Sequence, residues 1–227
     1  MEGDGTITVD ANKPSKYSRC RIFISLKNLE RNREMLKLIQ KVLGGKVRIE
    51  RNGNYVTWVI TSKKDIANAL TILDQYPLLS SRKRCQLEFM KSCMKNRDVN
   101  FYLQNRDSKY DKQENIAQSN KKFIQSLPDY FPAWLSGFIE AEGSFSVYNV
   151  NGQIKPKGFT IGQNYDLYLI EAIKNYFGSH HTIFKSSSKD GVDYYRIDMY
   201  GVKTRQNIQD HLLKYPLLGS KRDSYEN

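Results

Sequence analysis

The chain has 227 residues, 39% of them hydrophobic and 12% aromatic, enough apolar material for one large core or two ordinary ones and too much for wholesale disorder. Thirty-six Lys and Arg against 24 Asp and Glu give a formal charge of +12, which points to a polyanionic partner, nucleic acid before an anionic membrane. No apolar run reaches the roughly 20 residues of a membrane helix, no secretory leader pattern opens the sequence, and Cys20, Cys85 and Cys93 form neither an even set nor a metal-type cluster, as suits a reducing compartment.

The first residues, MEGDGTITVD, set a carboxylate between two glycines and then alternate apolar and polar side chains, so 5–10 reads as a strand. Residues 18–26, SRCRIFISL, read as its hairpin partner after a polar turn near Lys13-Pro14-Ser15. Over 29–43, Leu29, Met35, Leu36, Ile39, Val42 and Leu43 fall near helical period, and Gly44-Gly45 stops the helix. KVRIE and YVTWVI flank Asn52-Gly53-Asn54, a hairpin signal, and a helix follows at about 64–75. A further helix is predicted over 80–94. The stretch 95–128 is polar, charged and poor in apolar residues, and reads as a linker.

FPAWLSGFIEAEGSFSV at 131–147 predicts a helix with Pro132 in its first turn and Gly143 at its stop. Trp134, Leu135, Phe138 and Ile139 make it apolar enough to be buried on several sides. Ala133, Gly137 and Ala141, at i, i+4 and i+8, form a flank of small side chains that lets a second helix approach closely. Strands at 144–150 and 157–163, a helix at 166–177 ended by Gly178, strands near 180–186 and 192–200 and a helix at 203–214 follow. Little chain is left for a final helix. His180-His181 occurs in this half only, with no third ligand or metalloprotease pattern, which disfavours a metal site there.

The two halves are copies of one unit. YPLLSSRKR at 76–84 recurs as YPLLGSKR at 215–222, and EGDGTITVD at 2–10 as EAEGSFSVY at 140–148. Asp4 precedes Pro77 by 73 residues and Glu142 precedes Pro216 by 74, so the matched strings also keep their separation. The unit is α-ββ-α-ββ-α, which makes the fold class α+β, with a first repeat at 1–94, a polar linker at 95–128 and a second repeat at 129–227.

Glu140 and Glu142 lie in the last turn of their helix, where the dipole disfavours anions by about 0.3–1 kcal/mol each. They want a cation, and hard oxygen ligands suit Mg²⁺ or Ca²⁺ better than zinc. Glu2 and Asp4 hold the same places in the first copy. If the two helix ends meet at a pseudo-two-fold axis, Asp4 and Glu142 come side by side, the layout of two-metal phosphoryl chemistry.

WLSGFIEAEGSFSV resembles the LAGLIDADG motif of homing endonucleases and of the intron maturases related to them. The duplicated unit, the element order and the YPLL segment with its basic residues resemble a double-motif, single-chain member, and the resemblance covers nearly all of the chain except the linker. It implies two tandem units related by pseudo-two-fold symmetry, each with an antiparallel DNA-binding sheet, in a monomer that is an internal pseudo-dimer. In that family the last acid of each motif holds a divalent metal together with the carbonyl of the preceding residue. Here that implicates Asp4 and Glu142 with the carbonyls of Gly3 and Ala141, and Mg²⁺ or another divalent cation as cofactor. A basic residue near the end of each unit assists, for which the candidates are Arg82 or Lys83 and Lys221 or Arg222. MEGDG resembles the last third of the first motif, so most of that motif's helix is expected to be missing from this chain.

Strand alternation supplies the surface that would meet nucleic acid. Arg19 and Arg21 alternate with Cys20 and Ile22, and Lys46, Arg48 and Glu50 with Val47 and Ile49; Cys20 therefore reads as a core residue. Lys155, Lys157, Gln163, Lys185 and Arg196 offer similar chemistry in the second unit, and Arg, Lys and Gln on antiparallel ribbons can read base edges in the major groove. The activity implied is site-specific, metal-dependent hydrolysis of one phosphodiester in each strand of duplex DNA. The same scaffold admits a maturase that binds its group I intron RNA, or a DNA-binding module that does not cut; acids kept in both copies favour the nuclease. Abundant Lys, Asn, Ile and Tyr, all with A/T-rich codons, point to an A/T-rich genome such as an organellar one, and the resemblance implies an intron-encoded protein of a mitochondrion or another organelle.

Overall fold

A computed structural model of the chain describes residues 1–11, 18–96, 98–150 and 153–226, without the side chains of 121, 122, 124, 147–150 and 153–157. The turn expected at Lys13-Pro14-Ser15 lies outside the described residues. The alternating segments become two four-stranded antiparallel sheets, one in each of two units, Met1–Glu114 and Asn115–Asn227.

The first unit carries β1 (Gly5–Asp10), β2 (Arg19–Lys27), α1 (Glu30–Leu43), β3 (Lys46–Glu50), β4 (Tyr55–Ile60), α2 (Lys63–Gln75), α3 (Ser81–Asn96) and α4 (Val99–Asn105). Its strands run in the order β1-β2-β4-β3. Period-two alternation sends Ile7, Val9, Ile22, Ile24, Val56, Trp58 and Ile60 to one face, each at most 5% exposed, where α1, α2 and α3 cover them. Each such side chain contributes about 1.5–3 kcal/mol relative to exposure. Trp58 donates its indole N–H to the Gly44 carbonyl at 2.9 Å, at the stop of α1, where Gly44 and Gly45 have φ of 76° and 86°. That left-handed turn is open to glycine at no steric cost. Cys20 packs against this core, and burial, with Asp10 nearby, pushes its thiol up to about 11. The edge strand β3 is covered less well than alternation suggests: Val47 is half-buried and Ile49 is exposed.

The second unit holds α6 (Phe131–Glu142), β5 (Ser144–Val150), β6 (Gln153–Asn164), α7 (Leu167–Tyr176), β7 (Ile183–Ser187), β8 (Asp193–Met199), α8 (Val202–Lys214) and α9 (Lys221–Glu226). Its strand order, β5-β6-β8-β7, repeats that of the first. Leu135, Phe138, Ile139, Phe159, Ile161, Leu169, Ile173, Phe177, Ile197 and Met199 are each at most 2% exposed and form its core. The final helix, expected to be missing or short, is the six-residue α9. The motif helix α6 buries one side only. Leu135, Ser136, Phe138 and Ile139 face the core, whereas Ala133 and Gly137 are exposed and Ala141 is half-buried.

The stretch 95–128, read as a polar linker, contains α4, α5 (Gln113–Ser119) and a 3-10 turn over Asn120–Gln125. A few aromatic anchors hold it down despite its low apolar content. Tyr102 packs on Phe89 of α3 with centroids 6.1 Å apart, and Phe123 meets Phe131 and Tyr168 edge-on at 6.1 and 5.7 Å.

One contact recurs in both units. Glu2 Oε1 accepts the backbone N–H of Leu79, and Oε2 accepts the N–H of Ser80 at 3.2 Å and the Ser80 hydroxyl. Glu140 Oε2 accepts the N–H of Gly219 at 3.0 Å and Oε1 that of Lys221 at 2.9 Å. In each unit this carboxylate satisfies N–H groups at the start of the terminal helix, α3 or α9, that have no intrahelical acceptor. The glycine three residues on is a matter of space. A Cβ on Gly143 would fall 2.7 Å from the Ile139 carbonyl and 2.9 Å from the Phe159 ring, and one on Gly5 would strike the Met1 backbone. Gly143 has φ −72° and ψ 151°, so close approach, and not a left-handed turn, requires it.

The second unit also buries a polar chain behind α6. Ser136 donates its hydroxyl to the Tyr215 carbonyl at 2.6 Å, leaving a lone pair to accept His211 Nε2–H at 3.0 Å. Nδ1 is then the acceptor for the Tyr176 hydroxyl at 3.0 Å. Burial pushes the His211 imidazolium down to about 4.

Two outcomes follow. Glu140→Ala should lower stability in a urea titration by about 2 kcal/mol, the scale of charge-assisted bonds to N–H groups left without partners, and by the same amount with or without divalent cation. On acidification the unfolded chain takes up the His211 proton first, from about pH 6.5, and the folded one only near pH 4. The contribution of neutral His211 is therefore complete above pH 6.5 and declines down to pH 4, by at most about 3 kcal/mol. Chemical denaturation at several pH values should give His211→Gln a shallower slope than the parent in that window.

Candidate nucleic-acid interface and acidic positions

Residues two apart on a helix point in nearly opposite directions, about 200° round the axis. With Glu140 turned inward to the N–H groups of α9, Glu142 points outward and is exposed. The first unit repeats the pattern: Glu2 is 7% exposed, Asp4 is exposed, and Gly3 and Ala141, whose carbonyls precede the two outward acids, are half-buried. The pair Glu140 and Glu142 was expected to want a cation as a pair; Glu140 instead has its positive partner in backbone N–H groups. The matched spacing of the acid to the PLL segment was the signal for this clamp, and it is legible only once both copies are set side by side.

Among the described residues no group of three or more His, Cys, Asp or Glu side chains could enclose a metal. One outward carboxylate and a preceding carbonyl per unit fit a hard cation that keeps water ligands and takes the rest from a phosphate.

The basic candidates separate clearly. Lys83 is buried on α3, and its ammonium donates to the carbonyl of Gly5, next to Asp4. Arg82 points elsewhere, its guanidinium lying 4.9 Å from the Tyr110 ring centre. Register of the YPLL strings sets Lys83 opposite Arg222 and Arg82 opposite Lys221. Arg222 pairs with Glu226 at 2.6 Å within α9, while the backbone of Lys221 belongs to the Glu140 clamp.

On the first sheet the face away from the helices is open and basic. Arg19, Arg21, Lys46 and Arg48 are all exposed there, with Ser25, Thr57 and Glu50 among them. Register places Thr8 beside Arg21, Phe23 beside Val59, Val59 beside Lys46 and Thr57 beside Arg48. Arg21 pairs with Asp10 at 3.2 Å; among the described residues Lys46 and Arg48 have no carboxylate partner. Ser25 and Thr57 share a 2.9 Å hydrogen bond and Thr57 donates to Glu50 at 3.0 Å, a fixed row of donors and acceptors in a groove that also includes Arg51 and Thr61.

The second sheet divides its candidates. Arg196 lies on the face away from the helices, level with Gly162 and Phe184. Gln163 and Lys185 are both level with Tyr195 and share the face of Ile161 and Ile197, the opposite one. One residue of offset puts a strand side chain on the other face, and the pooled reading of these residues overlooked it. Lys185 pairs with Asp193 at 2.8 Å, which holds the lysine above and the aspartate below their ordinary ranges. Lys155 and Lys157 lie on the backbone of β6, with side chains outside the described residues.

Comparison with known proteins fits this arrangement. The sequence model of the LAGLIDADG endonuclease family matches residues 1–93 and again 135–227. The chain is 38% identical to the probable intron-encoded endonuclease aI3 of Debaryomyces hansenii over 99% of its own length, though it spans 36% of that protein. It is 36% identical to the probable intron-encoded endonuclease aI3 of Dictyostelium citrinum, covering 100% of this chain and 89% of the relative. In fold it is similar to I-SmaMI bound to uncleaved DNA target in the presence of calcium ions, with a TM-score of 0.64 at 19% identity, over 99% of this chain and 85% of that one. With two copies of the family's unit, two four-stranded sheets and an outward acid closing each motif, the chain belongs to the LAGLIDADG endonuclease family.

Proposed function

We propose that the chain is an intron-encoded homing endonuclease that hydrolyses both strands of a specific duplex DNA site. The observation that carries this reading is the repeated corner Glu-x-acid-Gly, in which the first acid is tied to backbone N–H groups and the second, Asp4 or Glu142, is exposed. Asp4 and Glu142, with the carbonyls of Gly3 and Ala141, are the groups that would hold a divalent cation, Mg²⁺ by the hardness of the donors. The bound cation would supply Lewis-acid stabilisation of the scissile phosphate and an activated water. Lys83, already beside the Gly5 carbonyl, would place positive charge where the phosphate gains negative charge, with Lys221 and Arg82 as further candidates. Lys46, Arg48, Arg19 and Arg21 would bind phosphates and base edges of the duplex from the open face of the first sheet, and Arg196 from the second. Mitochondrial or other organellar origin is supported by the A/T-rich codon bias of the residue usage and by the intron-encoded relatives.

The reading predicts that Glu142→Gln and Asp4→Asn each reduce cleavage of the cognate duplex at least a hundredfold, the scale of losing one preorganised electrostatic group, while binding to that duplex stays within about threefold. Cleavage of either variant at the parent rate would overturn the assignment. Affinity should fall steeply with salt. Removing one phosphate contact with Arg48→Ala should reduce the slope of log affinity against log salt by about 1 if that side chain meets the backbone, and leave the slope unchanged if it reads a base.

A further inference from the structure

Two strand acids lie on the open face of the first sheet, Asp10 of β1 and Glu50 of β3, and they are used differently. Asp10 neutralises Arg21 at 3.2 Å. Glu50 is exposed in the groove that holds Lys46, Arg48 and Arg51, and an acid placed there only to balance charge would pair with one of them. Among the described residues Glu50 has no lysine or arginine partner. Its sequence neighbour Arg51 is turned away, with its guanidinium 4.7 Å from the Tyr55 ring centre.

Glu50 is held by a neutral group instead. The Thr57 hydroxyl donates to Oε2 at 3.0 Å, and the hydroxyls of Thr57 and Ser25 are 2.9 Å apart. A carboxylate only accepts, so the Thr57 proton is committed to Glu50 and Ser25 is the donor to Thr57. The row crosses three strands: Ser25 of β2 is level with Thr57 of β4, which is level with Arg48, two residues before Glu50 in β3. Thr57 is 5% exposed, so the middle of the row is fixed by packing. The carboxylate is thus oriented before any ligand arrives, with Oε1 unbonded among the described residues.

We propose that Glu50 determines specificity by accepting the N4 amino group of a cytosine in the major groove. The inference rests on the duplex-endonuclease reading and adds a base to it. An acid on a DNA-binding face is repelled by phosphates, and only a donor on a base edge can offset that. In the major groove the donors are the amino groups of cytosine and adenine, whereas guanine and thymine offer acceptors there and are rejected. Adenine sets its N7 acceptor beside the amino group, a pattern that suits the donor and acceptor of an amide and opposes a second carboxylate oxygen. Cytosine offers its donor alone. Thr57 acts as a positioning residue, through Glu50.

Selection by binding from duplex DNA with a randomised interior tests this, without divalent cation so that no duplex is cut. The parent should require cytosine at one position that Glu50→Ala relaxes about tenfold, within the discrimination of one base-edge contact. Binding of Glu50→Ala to duplexes with another base there should hold or tighten, because a negative charge has gone. Glu50→Gln should move the preference at that position towards adenine. Thr57→Val should weaken the cytosine preference and Thr57→Ser should keep it. Unchanged selection by both Glu50 variants, or adenine as the base the parent requires there, overturns the inference and leaves the nuclease reading standing. Equal weakening of Glu50→Ala on every duplex makes its role structural and overturns the inference as well. A parent that selects no sequence overturns both readings.

Discussion

A carboxylate clamped to backbone N–H groups determines where everything else in each unit can be. Glu2 and Glu140 tie the end of the motif to the start of the terminal helix, across 77 and 79 residues of sequence. In the second unit the clamp brings together a helix end that repels anions and a helix start that attracts them, and the Glu140 side chain answers both. Once the rotation of α6 about its axis is fixed by Glu140, the residue two positions on must face away from the core. A residue that must leave the core at a helix C-terminus, beside half-exposed carbonyls, is a natural place for an acid with work outside the protein. The following glycine belongs to the same constraint, because the clamp pulls the chain so close to Ile139 and Phe159 that no side chain fits at 143.

That constraint also separates the basic residues. In the first unit α3 starts where Glu2 holds it, and its third residue, Lys83, thereby reaches inward to the Gly5 carbonyl, while Arg82 turns out to Tyr110. In the second unit the same helix is six residues long, and its arginine is paired with Glu226 on its own surface. Equal spacing in sequence thus gives unequal surroundings. The two copies share the clamp and the outward acid, and differ in how positive charge is presented near it.

Most of the architecture was legible in the sequence, because apolar side chains at periods of 2 and 3.6 are what the core selects, and the repeat supplied a second reading of each element. The boundaries of β1 and α1 differ from the expected ones by at most one residue. The linker was misjudged where a handful of aromatic contacts outweigh a polar average: Tyr102 and Phe123 anchor helices in a stretch whose composition suggests none. At the acids, charge type and position were legible but partnership was not. Nothing in EAE distinguishes the acid that meets N–H groups 79 residues away from the one on the exposed side of the helix; only the helical angle between them, combined with knowledge of where α9 starts, does so. The His211 chain was missed for a related reason. Ser136 reads as one more small residue on α6, its partners are His211 of α8 and the Tyr215 carbonyl just after it, and the Tyr176 hydroxyl at the end of α7 bonds His211 in turn.

Parity along the strands decides what each sheet can bind. Lys46 and Lys185 both belong to the third strand of their unit, yet Lys46 is level with Val59 on the open face and Lys185 with Tyr195 on the covered one. At the level where Lys46 and Arg48 have no carboxylate partner among the described residues, the second sheet has a phenylalanine and an arginine already bound to Asp198. Unneutralised charge attracts phosphate over a Debye length and is indifferent to whether the strand is paired. A duplicated unit that had kept the same side chains on both sheets would treat the two halves of its target alike. Exchange of Arg48 for Phe184, on an unchanged strand order, gives the two open faces different chemistry, one lined by basic side chains and the other by exposed rings beside an arginine paired with Asp198.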